Sequence, residues 1–584
     1  MSLRRVRRLD SATPLVARQV GLSRLARLLP FIVLAAVIAI LAGYFVIYLV
    51  YARALFAFPF DYDQGEGFEL YDAIRLAAGQ NIYLDNSLFP FYSSNYPPVY
   101  RLMVAPLVWL FGPHIWTARL VTFVCSLVIG ALILAAARRA MTVEQRGWMA
   151  QHPLARAALL LGPLAAALAF FAANYVYYIG PLARAHIPMV MFAFAGILCL
   201  DIGLSGGPDP AQARVRPRWV AAGVSLLIVA GFTKLQAVDA LAAGFGFLLF
   251  RNPRLCFKAL LASALATAGV VIVLNAASQG QFWLNVVLAN VNEYDIQRTW
   301  LFYGQWFRLQ GALIVCSALY VAWDVVAAIR ARSLRPITVW SMYFGAGAAI
   351  GMLTGKWGAG PTYLVAAIAA SCVCTIGLLW RAAHWGGDTA GAQHAIAAGH
   401  STRTATRSAL FALLVAVVFF AQATLNVHLP TSGRVFGTLA RMLNIPSGAS
   451  VWQGYPYYDV IGDTQLGHLL DPADVQAGWE LARLAREAPG LVWSEEAMIT
   501  LHAGKGVVTN PTQLLNLSKN GQLDTSHMLR MIENREFGAV IFRAQFYPQD
   551  VLIAIWDNYQ WRRSVRMNGF DYLVLYPRAE AEAE

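Results

Sequence analysis

The chain has 584 residues, of which 58% are hydrophobic and only 13% charged, with 45 Lys and Arg against 32 Asp and Glu and a formal net charge of +13. A soluble domain carries roughly 25% charged residues, so a soluble enzyme is excluded and a polytopic membrane protein is indicated. The basic residues fall mainly in short segments between apolar runs, which makes them a topology signal and not a nucleic-acid surface.

The N-terminus, MSLRRVRRLDSATPLVARQVGLSRLARLLP, is arginine-rich. The apolar run after it ends without a small-residue cleavage site, so we expect a retained first span behind a cytoplasmic basic segment, residues 1–30. A spanning helix needs about 20 mostly apolar residues. Eleven runs are candidates: Phe31–Tyr51, Ile115–Ala137, Ala157–Ala173, Pro188–Leu204, Trp219–Phe232, Ala237–Phe250, Ala259–Ala277, Gly311–Ile329, Ile337–Leu353, Tyr363–Trp380 and Ala409–Val427. The fifth and sixth are short and joined by a tight break. Cys125, Cys199, Cys256, Cys316, Cys372 and Cys374 all lie in or beside these runs, which suggests neither a disulfide framework nor a zinc site.

After the first run comes DYDQGEGFELYDAIRLAAGQNIY, which packs Asp61, Asp63, Glu66, Glu69 and Asp72 into twelve residues. One carboxylate in a cleft can take a proton from a hydroxyl nucleophile, and a second can tune it. If this stretch is helical, the i, i+3 spacings put neighbouring acids on overlapping faces. The plainer reading is a solvated helix start, where acids are favoured by the helix dipole.

The next segment, YPPVYRLMVAPLVWLFG, either spans or lies along the outer surface. If it lies flat, the clusters Arg138/Arg139/Arg146, Arg214/Arg216/Arg218, Arg251/Arg254/Lys258, Arg330/Arg332/Arg335 and Arg381/Arg403/Arg407 share the cytoplasmic side with the N-terminus. The positive-inside rule favours that arrangement. The acidic stretch, the loop Ser278–Gln310 and everything after Val427 then lie outside.

Three further places carry charge near that outer side, where polar groups at membrane depth are costly and call for a partner or a function. PLARAHIP holds Arg184 and His186, able to grip a phosphate and to donate to it; an interface anchor and a satisfied histidine are the alternatives. GFTKLQA places Lys234 at the break between two short runs, as a phosphate partner or a snorkelling interface marker. TGKWGAGPTY places Lys356 in a glycine-rich turn whose amides can face an anion, or which is an ordinary tight turn. The stretch His384–Arg407 reads as a flexible cytoplasmic loop. No internal repeat is visible, which weakens a transporter built from inverted halves.

Beyond Val427 the chain changes character. The β-type runs LVWSEE, GAVIFRA and DYLVLYP alternate with the helix-like PADVQAGWELARLAREA and DTSHMLRMIENREF. We therefore expect three parts: the basic N-terminus 1–30, a transmembrane domain 31–427 with an outer loop 52–114, and an extracytoplasmic α/β domain 428–584.

In order along the chain, the first span, the acidic loop, the YPP segment ending LFG, Arg119 in TARL, FTKLQ and GKWGAGPTY resemble the GT-C superfamily of integral-membrane glycosyltransferases. The likeness is to bacterial relatives of protein mannosyltransferases and lipid A aminoarabinose transferases, over most of residues 31–380. It implies a mainly α GT-C type bundle of about eleven spans in the cell (inner) membrane. It also implies a polyprenyl-phosphate sugar donor, a glycan, lipid or protein acceptor, and a catalytic carboxylate in the first outer loop. Glu66 ranks first as base because its GEG setting best resembles the family motif, with Asp63 next and Asp61 third; transfer by single displacement is expected to invert the anomeric centre. Lys234, Lys356, Arg184 and His186 are the expected donor-phosphate ligands. Relatives commonly carry an acid in the second outer loop, where this chain has Arg184 and His186. No cofactor is expected, although a divalent ion is compatible with the acidic loop. A transporter or flippase of a lipid-linked sugar is the alternative function, and a non-catalytic scaffold a third.

Overall fold

The structure is a computed structural model that describes residues 13–141, 152–204, 215–384, 397–426, 435–442, 444, 451–452, 455–456 and 469–579. Its larger part is a helical bundle. Among the described residues eight helices are long and apolar enough to cross a membrane: Ala26–Ala57, Ile115–Ala140, Pro153–Ala172, His186–Gly203, Pro253–Ala277, Ile296–Ala331, Pro361–His384 and Arg403–Leu425. The molecule is thus a mainly α, polytopic membrane protein with a small C-terminal sheet domain.

The expected count of eleven is not confirmed among the described residues. The other three apolar runs form the helices Pro217–Thr233, Val238–Arg251 and Val339–Ile350, of 17, 14 and 12 residues. A 14-residue helix rises only about 21 Å, short of a hydrocarbon core of about 30 Å. Val99–Phe111, within the YPP segment, is 13 residues long and exposes Trp109, Leu110 and Phe111; its length suits a surface helix.

Helix starts follow local chemistry. Pro153, Pro217, Pro253 and Pro472 occupy first-turn positions where their missing N–H costs nothing, and Asp295 caps Ile296–Ala331 by accepting from the Gln297 amide at 2.8 Å. Helix Val365–His384 sits at the centre, packed against Ile115–Ala140, Pro153–Ala172, Ile296–Ala331, Val339–Ile350 and Ala397–Leu425. Pro253–Ala277 lies at the periphery, with only 6% of its apolar window buried. It is apolar all round because lipid would cover it. Helix Ile296–Ala331 kinks at Gln310, where the Gln310 amide donates to Asn426 at 2.9 Å and its oxygen accepts from Gln422 at 2.9 Å.

The expected flexible loop His384–Arg407 needs correction. Residues 385–396 lie outside the described ones, and 397–407 already belong to helix Ala397–Leu425. The expected domain boundary at 428 also falls outside the described residues.

The C-terminal sheet runs in the order Leu491–Ser494, Phe537–Phe542, Phe570–Pro577, Tyr559–Met567. The first pair is parallel and the other two are antiparallel, with Trp493 opposite Val540 and Val540 opposite Leu575. The three expected β-runs are all strands, and both expected helices form, as Pro472–Glu487 and Ser526–Glu533. Strand Tyr559–Met567 was not foreseen, although Asn568-Gly569, with φ of 49° and 77°, is the two-residue turn that signals a hairpin. The domain docks on the end of the bundle that carries the acidic loop: Asn510 Nδ2 donates to the Ser93 carbonyl at 3.2 Å and Gln513 Nε2 to Asn285 Oδ1 at 2.8 Å.

Candidate active site

The first helix ends at Ala57, and the chain turns through Asp61–Gly65 into helix Glu66–Ala77. Gly65 has φ +105°, and a Cβ there would lie 3.0 Å from Arg184 Nη1, so both backbone and space call for glycine. Glu66 opens the helix and is fully buried. Its Oε1 accepts from Arg119 Nε at 3.0 Å and the Ala183 amide at 2.7 Å. Its Oε2 accepts from Arg119 Nη2 at 2.8 Å and the amides of Tyr62 and Asp63 at 3.0 and 3.3 Å. Burial alone would push this carboxyl up, but the charge and hydrogen bonds of Arg119, with the amides of Ala183 and Tyr62, outweigh it and hold Glu66 below the usual range. Arg119 spends its remaining donors on the carbonyls of Leu55, Phe58 and Phe60.

Two more acids are taken by a second buried arginine. Arg101 lies 2.6 Å from Glu69 and 3.2 Å from Asp72, and Tyr92 donates to Asp72 Oδ1 at 2.6 Å. Asp61 is also fully buried, with Oδ1 accepting from the Gly67 amide at 2.5 Å and Oδ2 from the Met498 amide at 3.1 Å. Burial is the main cause that raises its carboxyl to about 6, and the charge of Glu66 adds to it.

Asp63 is different. Its side chain keeps 29% of its surface exposed, against 0% for Glu66, and it pairs with the partly exposed Arg184 at 2.5 Å. Arg184 also donates to the Gln64 carbonyl. Close by, Lys234 Nζ lies 3.0 Å from His186 Nδ1, over the rings of Tyr96 and Tyr363 at 5.0 and 5.6 Å. Burial first, then the charge of Arg184, push the Lys234 ammonium down to about 7; Glu69 opposes this, and Lys356 and Arg101 add to it. Lys356 sits in the turn that bridges to Tyr294, and burial lowers its ammonium as well.

The seven residues singled out in sequence therefore divide. Asp63 pairs with Arg184, His186 contacts Lys234, and the charges of Arg184 and Lys356 act on Lys234. Glu66 and Asp61 are fully buried with every carboxylate oxygen engaged. Sequence reasoning missed the parts of Arg101, Tyr96 and Tyr363. A buried arginine in an apolar helix is itself a signal for carboxylate partners, and Arg101 carried it. Among the described residues no group of three or more His, Cys, Asp or Glu is arranged to hold a metal ion.

No protein-family model matches the chain, and no curated protein matches it in sequence. Among solved structures it is similar to ArnT from Cupriavidus metallidurans bound to undecaprenyl phosphate, with a TM-score of 0.50 and 15% identity over 94% of this chain and 98% of that chain. The apo state of the same protein aligns with a TM-score of 0.50 and 14% identity, over 91% of this chain and 98% of that chain. ArnT is a lipid A aminoarabinose transferase of the GT-C superfamily, so the fold expected from the motifs is the fold observed.

Proposed function

We propose that this chain is a membrane glycosyltransferase that moves a sugar from a polyprenyl-phosphate donor to an acceptor hydroxyl on the outer face of the cell membrane, with Asp63 as general base. The observation that carries the reading is the division of the five acids: four are consumed by Arg119, Arg101 and backbone amides, and Asp63 alone keeps solvent access beside a cluster of cations. Glu66 is the weaker candidate because a carboxylate that already accepts five hydrogen bonds and is held below its usual range is a poor proton acceptor. The fold neighbour's bound undecaprenyl phosphate supports the donor class.

In this reading the lipid tail holds the donor at the membrane surface, and Arg184, Lys234, Lys356 and His186 grip its phosphate. Asp63 takes the acceptor proton, the acceptor oxygen attacks the anomeric carbon, and the bond to the phosphate oxygen breaks. The cations stabilise the leaving phosphate, and the single displacement inverts the anomeric centre. Arg184 has donors enough for Asp63 and the phosphate together.

The test is incubation of the purified protein with a panel of polyprenyl-phosphate sugars and an acceptor mixture, scored by release of polyprenyl phosphate. Asp63→Asn should transfer roughly a hundred- to ten-thousandfold more slowly. Glu66→Gln leaves Arg119 buried without its counter-charge and should lose about 3–5 kcal/mol of stability, seen as a lowered melting temperature. Wild-type turnover in Asp63→Asn would remove the base assignment. A donor bound but never cleaved by the native protein would replace the enzyme with a lipid-sugar transporter.

A further inference from the structure

The C-terminal domain meets the acidic loop through a compact set of contacts that none of the proposed chemistry uses. Asp61 reaches from the loop to two amides, one in the first turn of the following helix at Gly67 and one in the domain at Met498. Asn568, at the tip of the domain's hairpin, donates its Nδ2 to the Tyr62 carbonyl at 3.1 Å, while its own amide is held by Asp474 at 2.8 Å. On the near side His502 Nε2 lies 3.0 Å from the Pro59 carbonyl, and Phe60 packs edge-on against Trp479 and His502. Residues 59, 60, 61 and 62 are thus each tied to the domain, and the next residue is Asp63.

A buried carboxylate is costly to keep, and its hydrogen bonds to backbone amides recover that cost only while both amides stay in place. The Asp61 bridge therefore stiffens the loop and the domain as one unit. Catalysis by a general base depends on holding its carboxylate within about 3 Å of the acceptor hydroxyl, and a displacement of about 1 Å can cost a hundredfold.

We infer that the C-terminal domain is a positioning element of the active site, with Asp61 as the pin and Asn568 as the second tie that together set the place of Asp63. Asp61 is on this account a positioning residue and not the base. The inference rests on the proposed role of Asp63, so the experiment carries one readout that does not depend on turnover.

Full-length protein in lipid nanodiscs is compared as wild type, Asp61→Asn, Asn568→Asp and Asp63→Asn. Three quantities are measured: affinity for polyprenyl phosphate, turnover with the donor, and hydrogen exchange at the Gly67 amide. Asp61→Asn keeps the size but offers one amide an NH2 group in place of an acceptor. Asn568→Asp keeps a residue that tolerates the positive φ of the turn and turns its donor into an acceptor.

The expected result is exchange at Gly67 faster by roughly ten- to a hundredfold in Asp61→Asn. Turnover should fall by roughly a hundredfold, with polyprenyl-phosphate affinity within about twofold of wild type. Asn568→Asp should show the same split more weakly. Unchanged exchange at Gly67 overturns the pin, as does unchanged turnover where Asp63→Asn is inactive. A parallel loss of phosphate affinity and turnover also overturns it, because the bridge would then serve the phosphate site or the fold as a whole. If Asp63→Asn turns over normally, the base reading fails by itself and the pin is judged on exchange alone. If Asp61→Asn does not fold, Asn568→Asp is read by the same criteria.

Discussion

Lys234 illustrates how a single side chain can be tuned by its place. Its ammonium is half-buried 3.0 Å from His186 Nδ1 and stands among other cations, which brings its pKa down to about 7. Below that pH it is charged and available to a phosphate; as pH rises through it, the charge is lost. The proposed donor is a phosphodiester with no titration of its own in this range, so donor affinity should weaken roughly tenfold between pH 6.5 and 8.5. Lys234→Arg, always charged, should remove that dependence. Direct binding measurements across this range check the expectation, and a flat wild-type profile would take Lys234 out of the phosphate site. The acids show the complementary effect: five carboxylates within twelve residues have four different fates, because Glu66 meets Arg119, Glu69 and Asp72 share Arg101, Asp63 meets Arg184 and Asp61 meets two backbone amides.

At the scale of elements, two helices are fastened by charge and one by close approach. Arg101, on Val99–Phe111, carries the pair of acids on Glu66–Ala77, which explains why an apolar surface helix keeps an arginine. Gly478, in the middle of Pro472–Glu487, faces the ring of Phe60, and a Cβ there would sit 2.2 Å from the ring. Alanine at an open helical site would gain about 1 kcal/mol in propensity. Here the overpacking, about 1–3 kcal/mol, opposes it because Phe60 is fully buried and has nowhere to go. Gly478→Ala should therefore loosen the domain against the loop, seen as faster proteolysis between bundle and domain and a lower melting temperature. An unchanged or raised melting temperature would show that the ring can move aside.

At the scale of the molecule, the acidic loop and the C-terminal domain share one end of the bundle, while Arg139 pairs with Asp201 and Arg381 with Asp324 at the other, both at 2.6 Å. The arginine distribution predicts that this second end is cytoplasmic. In a protein stripped of its native cysteines, Arg483→Cys on the domain should react with an impermeant thiol reagent added outside the cell, and Arg330→Cys should not. Both positions are exposed, so access depends on the membrane alone. Labelling of Arg330→Cys from outside would invert the proposed topology.

Much of this architecture was legible in the chain itself. Apolar length marked the long helices, alternating and turn residues marked three of the four sheet strands, and the charge-rich stretch after the first span marked the candidate site, because each of these is a local property of the polymer. The three short helices, of 17, 14 and 12 residues, are not confirmed as spans, since apolar composition at such a length does not distinguish a span from a helix buried in protein. Only tertiary structure decided which acid keeps solvent access. The partner of Glu66 lies 53 residues away, that of Asp63 lies 121 away, and Asp61 finds its second amide 437 residues away. Whether a carboxylate is a base, an ion-pair partner or a pin depends on the donors that surround it in space, and those are brought together by folding and not by neighbourhood in the sequence.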